Sequence, residues 1–125
     1  DPKFLEIANE TMEMLRYVFQ TKNKLTLPMS GTGSAGMETV MVNLLEPGDE
    51  AIVCVNGVFG QRLRDMAGRC RAKVISVEAP WGEAIDAEKV REAFKKSGKI
   101  KLVAIVHAET STGVKQPLEE ISKIA

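Results

Sequence analysis

The 125-residue chain has few cysteine, histidine and aromatic residues and no excess of charge of either sign. It contains two cysteines and one histidine, and aromatic residues make up only 5% of it. Two cysteines without metal-type spacing predict reduced thiols, so we expect a reducing compartment: the cytoplasm, or the peroxisome or mitochondrion of a eukaryote. The 17 basic and 17 acidic residues balance, which argues against a nucleic-acid partner.

Long apolar runs are also missing. No segment approaches the roughly 20 residues that a membrane-spanning helix needs, and the start of the chain has no signal-peptide pattern, so no membrane partner is predicted. The acidic residues show no metal-ligand spacing, so we predict no metal site. The chain starts without Met and ends within a helical pattern. We therefore expect residues 1–125 to be one partial domain, a fragment that is truncated at both ends.

The hydrophobic pattern switches repeatedly between helical and strand-like periods. We predict helices at Asp1–Lys22, Ser34–Leu45, Val58–Cys70 and Ala87–Lys96 (capped by Asp86) and from near Pro117, and strands at Leu25–Leu27, Ala51–Val55, Lys73–Val77 and Lys99–Val106. Strands that alternate with helices through short connections predict an α/β fold with three layers, α/β/α, around a mostly parallel sheet. Ligands of such sheets lie beyond the carboxyl ends of the strands. Three loops follow predicted strands: Ser30–Ser34, Asn56–Gln61 and His107–Gly113.

The first of these loops is rich in glycine and small hydroxyl residues and leads directly into a helix. Uncovered N–H groups and the positive end of the helix dipole suit an anion, most often phosphate. Thr32 and Ser34 can add hydroxyl donors. The alternative is a flexible loop in which Ser34 is only the helix N-cap. No lysine follows a glycine here, so the loop is not a P-loop.

The other two loops carry an aromatic residue and a hydroxyl cluster. Phe59 can stack on a ring, or it can be an ordinary core aromatic. Thr110 or Ser111 can donate a hydrogen bond to a ligand, or both can simply cap the loop. His107 is interpreted as a structural residue, with Glu109 as its partner or as a loop anchor. Together the three loops would suit a flat, phosphorylated aromatic cofactor.

Four segments, taken together, resemble a known family: Ser30–Glu38, Leu44–Asp49, Asn56–Arg62 and His107–Val114. In this order and spacing they are similar to the alanine–glyoxylate and serine–pyruvate aminotransferases, class V members of the fold-type I enzymes that use pyridoxal 5′-phosphate. The resemblance extends from Ser30 to Pro117. It implies that the chain is the first half of the large domain of such an enzyme.

The resemblance also implies roles for particular residues. Thr32, Gly33 and Ser34 would hold the cofactor phosphate, Phe59 would stack on the pyridine ring, and Thr110 would contact the ring side of the cofactor. The reaction would move an amino group from alanine or serine to glyoxylate or pyruvate in a homodimer. The Schiff-base lysine and the aspartate that pairs with the pyridinium nitrogen would lie beyond residue 125. No catalytic residue is therefore expected in this chain, which alone would be inactive.

Two alternatives stay open. One is another class V enzyme that uses the same cofactor, either a cysteine desulfurase or a lyase. A desulfurase needs a reactive cysteine on a mobile loop, whereas Cys54 and Cys70 lie in a predicted strand and at a predicted helix end. The other alternative is a non-catalytic α/β module that binds a phosphorylated ligand at the glycine-rich helix start.

Overall fold

In the computed structural model, which describes residues 1–125, the chain divides into two compact units, Asp1–Gly36 and Met37–Ala125. The helices are α1 (Pro2–Val18), α2 (Gly33–Leu44), α3 (Val58–Arg69), α4 (Ala87–Lys95) and α5 (Glu119–Ile124). The strands are β1 (Glu50–Val55), β2 (Lys73–Glu78), β3 (Ile100–Ala104), β4 (Ala108–Glu109) and β5 (Val114–Lys115). None of the helices has the length and apolar character needed to cross a membrane.

The second unit is organised around a three-stranded parallel sheet with the order β2-β1-β3. Strand β1 is central, and from Ala51 to Val55 every residue is buried. Its side chains alternate between the two faces of the sheet. Ala51 and Val53 belong to one core cluster, and Ile52 and Cys54 belong to the other. A continuous apolar run is what a strand covered on both faces requires.

Helices supply the rest of each core. On one face, Leu63 and Met66 of α3 pack with Met41 of α2. On the other face, Val90 of α4 packs with Ile121 of α5. The structure therefore confirms the predicted three-layer α/β/α fold with a parallel sheet.

Two predictions about strands were wrong. Leu25–Leu27 forms no strand: the Leu25 side chain is 79% exposed, and the Thr26 hydroxyl donates to the Asn23 carbonyl oxygen at 2.8 Å. A three-residue run has no ladder without a partner strand, and the hydrogen bond of the Thr26 side chain spans a bend at Lys24 instead. The strand predicted at Lys99–Val106 is shorter, and the loop that follows it contains the antiparallel hairpin β4–β5, which was not predicted.

The first unit contains α1 and the segment that leads to α2. The predicted N-cap is present, since the Lys3 amide donates to the Asp1 carboxylate at 2.8 Å. The helix ends at Val18, earlier than the predicted Lys22, and no residue within it is buried. Several of its apolar side chains, Phe4 among them, stay exposed, and the others, such as Leu15, are only half-buried, although their spacing is amphipathic.

Candidate cofactor site

Two of the three predicted loops lie at the carboxyl edge of the parallel sheet. Residues 56–61 follow β1, and residues 107–113 follow the neighbouring strand β3. Because the two strands are parallel, their carboxyl ends open on the same edge. The loop at Ser30–Ser34 was assigned to this edge because a strand was predicted before it, and that strand is absent.

A cavity of about 370 Å³ lies between these two loops. Its walls are mainly apolar and come from α2, α3 and the segment after β3: Met37, Phe59, Leu63, Ile105, Val106, Ala108 and Thr110. Phe59 and Thr110, predicted from different parts of the sequence, therefore line the same cavity. Phe59 is half-buried and belongs to neither core cluster, so the structure favours a cavity wall over a core aromatic.

Phe59 is placed by the first turn of α3. The N-cap of this helix is Gly57, which has no side chain to accept the hydrogen bonds of the first turn. Side chains from the loop after β3 accept them instead. The Val58 amide donates to Ser111 Oγ at 3.0 Å, and the Gly60 amide donates to Glu109 Oε2 at 3.1 Å. The start of α3 is thus capped by residues about 50 positions further along the chain.

Glu109 is the centre of this arrangement, and it is 1% exposed. Its Oε1 atom accepts hydrogen bonds from the Ser111 amide at 3.2 Å and from the Ser111 hydroxyl at 2.5 Å. A carboxylate at a helix N-terminus also interacts favourably with the helix dipole. Of the two predicted roles of Glu109, the loop anchor is confirmed. A Cβ atom at Gly57 would lie 2.5 Å from the Glu109 side chain, so glycine is required there.

Three further hydrogen bonds fix the backbone around the loop after β3. Gln116, also 1% exposed, accepts from the Ile85 amide at 2.7 Å and donates to the Ile85 carbonyl at 3.0 Å. The Gln116 amide in turn donates to the His107 carbonyl at 2.8 Å. Sequence reasoning missed Gln116, because a glutamine outside any motif gives no signal that its side chain is buried.

The Arg62 guanidinium lies over the Phe59 ring, with 5.3 Å between its central carbon and the ring centroid. This is within the range of a cation–π contact. The two residues are three positions apart on α3 and therefore on the same side of the helix. The contact restricts the orientation of the ring.

The start of α2 lies in the first unit. Thr32 is its cap: the Thr32 carbonyl accepts from the amides of Ala35 and Gly36, and its Oγ1 accepts from Ala35 at 3.4 Å. The alternative in which Ser34 is only the N-cap does not hold, because the helix begins one residue earlier than predicted, at Gly33. A Cβ atom added at Gly33 would meet nothing within 4 Å, so the helix start offers open space. These features fit an anion site.

Glycines 31, 33 and 36 have the G-x-G-x-x-G spacing of a dinucleotide fingerprint. That motif requires a strand directly before the glycines, which places the pyrophosphate at the helix start. The segment before Ser30 contains no strand. The context of a dinucleotide site is therefore missing.

Neither cysteine lines the cavity. Cys54 is buried within β1, and burial raises the pKa of its thiol to about 12. A thiol with such a pKa supplies almost no thiolate at neutral pH. Cys54 is thus unsuited to act as a nucleophile.

The fold and the loops at its carboxyl edge define a three-layer α/β/α arrangement with a cavity at that edge. Residues 2–125 match the family model of the class-V aminotransferases, and the chain belongs to this family. It is 46% identical over 123 residues to the (S)-ureidoglycine–glyoxylate transaminase of Bacillus subtilis and 39% identical over 122 residues to the alanine–glyoxylate aminotransferase of Mus musculus. Each alignment covers 98% of this chain and 29% of the relative.

The solved structures agree with the sequence relatives. The alanine–glyoxylate aminotransferase of Nostoc sp. superposes with a TM-score of 0.92 at 48% identity, over 99% of this chain and 33% of that one. The chain thus spans about three tenths of the length of the relatives that it matches.

Proposed function

We propose that this chain is the cofactor-binding part of a longer aminotransferase that uses pyridoxal 5′-phosphate. The complete enzyme, as proposed, moves an amino group from a small amino acid, alanine or serine, to glyoxylate or pyruvate. The names of the two curated relatives support glyoxylate as the acceptor, because both contain it. The observation that carries the proposal is the cavity that Phe59 and Thr110 share at the carboxyl edge of the sheet.

The residues present fit the ring of this cofactor. The cavity walls are apolar, as a planar aromatic ring requires, and the Phe59 ring offers a face for offset stacking. Thr110 adds a hydroxyl, which can donate to an oxygen substituent of the ring. The family membership supports the same assignment, since the shared segments include both loops.

The start of α2 fits the phosphate. The Gly33 amide and the hydroxyls of Thr32 and Ser34 can donate hydrogen bonds, and the helix dipole is positive at this end. In the proposal, Thr32, Gly33 and Ser34 bind the phosphate. The open space beside Gly33 supports close approach of a phosphate oxygen to the backbone.

The chain's own residues bind and orient rather than carry out proton transfer. When bound, the cofactor supplies the electron sink for the reaction at the amino-acid Cα. Phe59 and Thr110 hold the ring in place, and the apolar walls of the cavity exclude water from the ring face. The lysine that would carry the cofactor belongs, in this proposal, to the part of the enzyme beyond residue 125.

A homodimer is part of the proposal. Three side chains of α2 in the second unit are apolar and more than half exposed: Val40 at 52%, Val42 at 57% and Leu44 at 51%. Exposed apolar side chains of this kind, Val40 and Leu44 on one side of the helix and Val42 on another, support burial in the complete enzyme, either by the rest of the chain or by a second subunit. Sedimentation of the complete enzyme tests the dimer directly.

The function is tested by titrating the complete enzyme with pyridoxal 5′-phosphate and then supplying alanine or serine with glyoxylate or pyruvate. We expect a visible absorption band from the bound cofactor and conversion of glyoxylate to glycine. If the cofactor binds but only cysteine or another amino acid is consumed without amino transfer, the enzyme belongs to the desulfurase or lyase alternative. Absence of cofactor binding would contradict the proposal and favour the non-catalytic module.

Phe59→Leu tests the ring-stacking role. Loss of the aromatic face is expected to raise the Kd for pyridoxal 5′-phosphate about two- to tenfold, the equivalent of ~0.5–1.5 kcal/mol. Phe94→Leu is the matched control, because Phe94 is also half-buried but packs on the opposite face of the sheet. Equal effects of the two substitutions on the Kd would show that Phe59 makes no contact with the ring.

A further inference from the structure

We propose that Glu109 is a positioning residue, whose buried carboxylate holds the two walls of the cofactor cavity in a fixed relation to each other. The inference rests on the proposed function, because it concerns the ring site. Glu109 does not line the cavity and would not touch the cofactor. It would act through the backbone of the residues that do.

One wall of the cavity is held on both sides of Phe59. The preceding amide, of Val58, donates to Ser111 Oγ at 3.0 Å, and the following amide, of Gly60, donates to Glu109 Oε2 at 3.1 Å. The backbone position of Phe59 is thus fixed by its two neighbours. Without these bonds, the first turn of α3 would have no side-chain cap, since its N-cap residue is Gly57.

The other wall is held on both sides of Thr110 by the same two acceptors. Thr110 lies between Glu109 and Ser111 in the chain, and these two residues are joined by bonds from the Ser111 amide and hydroxyl to Glu109 Oε1. The two hydrogen bonds that join the walls, from the amides of Val58 and Gly60, are therefore accepted by the Ser111 hydroxyl and the Glu109 carboxylate. The position of Phe59 relative to Thr110 depends on both.

Two acceptor oxygens are what make the carboxylate effective here. Glu109 accepts at both oxygens, and its surroundings offer donors: two backbone amides and one hydroxyl. A glutamine has nearly the same shape, but its amide nitrogen would face a donor where an acceptor is needed. Glu109→Gln therefore preserves the volume and removes half of the acceptor function.

The experiment compares the complete enzyme with its Glu109→Gln and Asp86→Asn variants. Asp86 accepts from the Glu88 amide at 2.9 Å as the cap of α4, away from the cavity, so it provides the same chemical change at a different helix start. For each protein we measure the Kd for pyridoxal 5′-phosphate, the induced circular dichroism of the bound cofactor and the thermal midpoint. A merely structural role would lower the thermal midpoint and leave the first two values unchanged.

We expect Glu109→Gln to raise the Kd about tenfold, ~1.4 kcal/mol, and to weaken the circular dichroism band, with Asp86→Asn like the wild type. If the wild type binds and both variants bind equally well, the positioning role is overturned while the proposed function stands. If the wild type does not bind, the proposed function and this inference both fail. Should Glu109→Gln not fold, Ser111→Ala decides: a Kd raised about threefold supports the role, and an unchanged Kd overturns it.

Discussion

Helices α3 and α4 start in opposite ways, although both follow a strand of the same sheet. The start of α4 is local: Asp86 caps the helix that begins at the next residue. The start of α3 is not local, because Gly57 has no side chain and the cap comes from Glu109 and Ser111. A local cap stabilises one helix, whereas a distant cap also fixes two loops relative to each other. The helix that carries a candidate cofactor contact has the distant cap.

The largest expected difference is between alanine substitutions at the two caps. Glu109→Ala leaves the Gly60 and Ser111 amides without their acceptor and is expected to lower the free energy of unfolding by about 3 kcal/mol. Asp86→Ala removes an exposed cap and is expected to cost about 1 kcal/mol. Urea unfolding of the complete enzyme measures both. Equal costs would mean that the distant cap adds nothing beyond a local one.

The space above Gly57 gives a second, somewhat smaller effect. A Cβ atom there would lie 2.5 Å from the Glu109 carboxyl carbon and 2.7 Å from Ser111 Oγ, so Gly57→Ala must displace the cap. We expect a loss of about 2 kcal/mol in unfolding free energy.

Gly68→Ala is the control for Gly57→Ala in the same helix. A Cβ atom at Gly68 would meet nothing within 4 Å, and alanine is the better helix former by ~0.5–1 kcal/mol. The two substitutions should therefore have opposite signs in urea unfolding. A Gly57→Ala protein as stable as the wild type would show that the cap is not tightly packed against this position.

The smallest effect concerns Cys54, which lies in β1 directly before the loop that leads to α3. Its native pKa is about 12 against an ordinary 9.0, so between these values the unfolded chain releases the thiol proton and the native chain keeps it. Stability should therefore fall as the pH rises above 9, by ~1.4 kcal/mol per pH unit from this group.

Urea unfolding at pH 8 and pH 10 tests this pH dependence, with Cys54→Ala as the control that lacks it. A thiol reagent gives an independent measurement: the half-buried Cys70 should react in the native protein, and Cys54 only after unfolding. Rapid reaction of both thiols would contradict the burial of Cys54.

The difference between the two helix starts also explains what could be predicted from the sequence. Asp86 could be predicted as a cap because it directly precedes its helix. The buried strand at Ala51–Val55 could be predicted because its apolar residues follow one another in the sequence. The bond from Gly60 to Glu109 joins residues 49 positions apart, and no periodicity records such a contact. The available signal was indirect: Gly57 at a helix start without a capping side chain, and an acid–hydroxyl cluster after a neighbouring strand.

The strand errors have a related cause. Leu25–Leu27 has the local composition of a strand, but a strand also needs a partner, which sequence spacing does not supply. The hairpin β4–β5 was missed because its two strands have partners but no local signal: strands of two residues are too short to show alternation. For the candidate site, the sequence indicated the two loops, the residues Phe59 and Thr110 and, as one alternative, an anchoring role of Glu109, but not the hydrogen bond from Gly60 by which Glu109 joins the two walls.

Amide hydrogen exchange in the complete enzyme tests the central claim most directly, namely that Glu109 holds the start of α3 to the loop after β3. The Glu88 amide, capped by Asp86, serves as the internal reference. We predict that Glu109→Gln speeds exchange at Gly60 and Ser111 and leaves Glu88 unchanged. If each of the three amides exchanges at the same rate in the variant as in the wild type, the claim is contradicted.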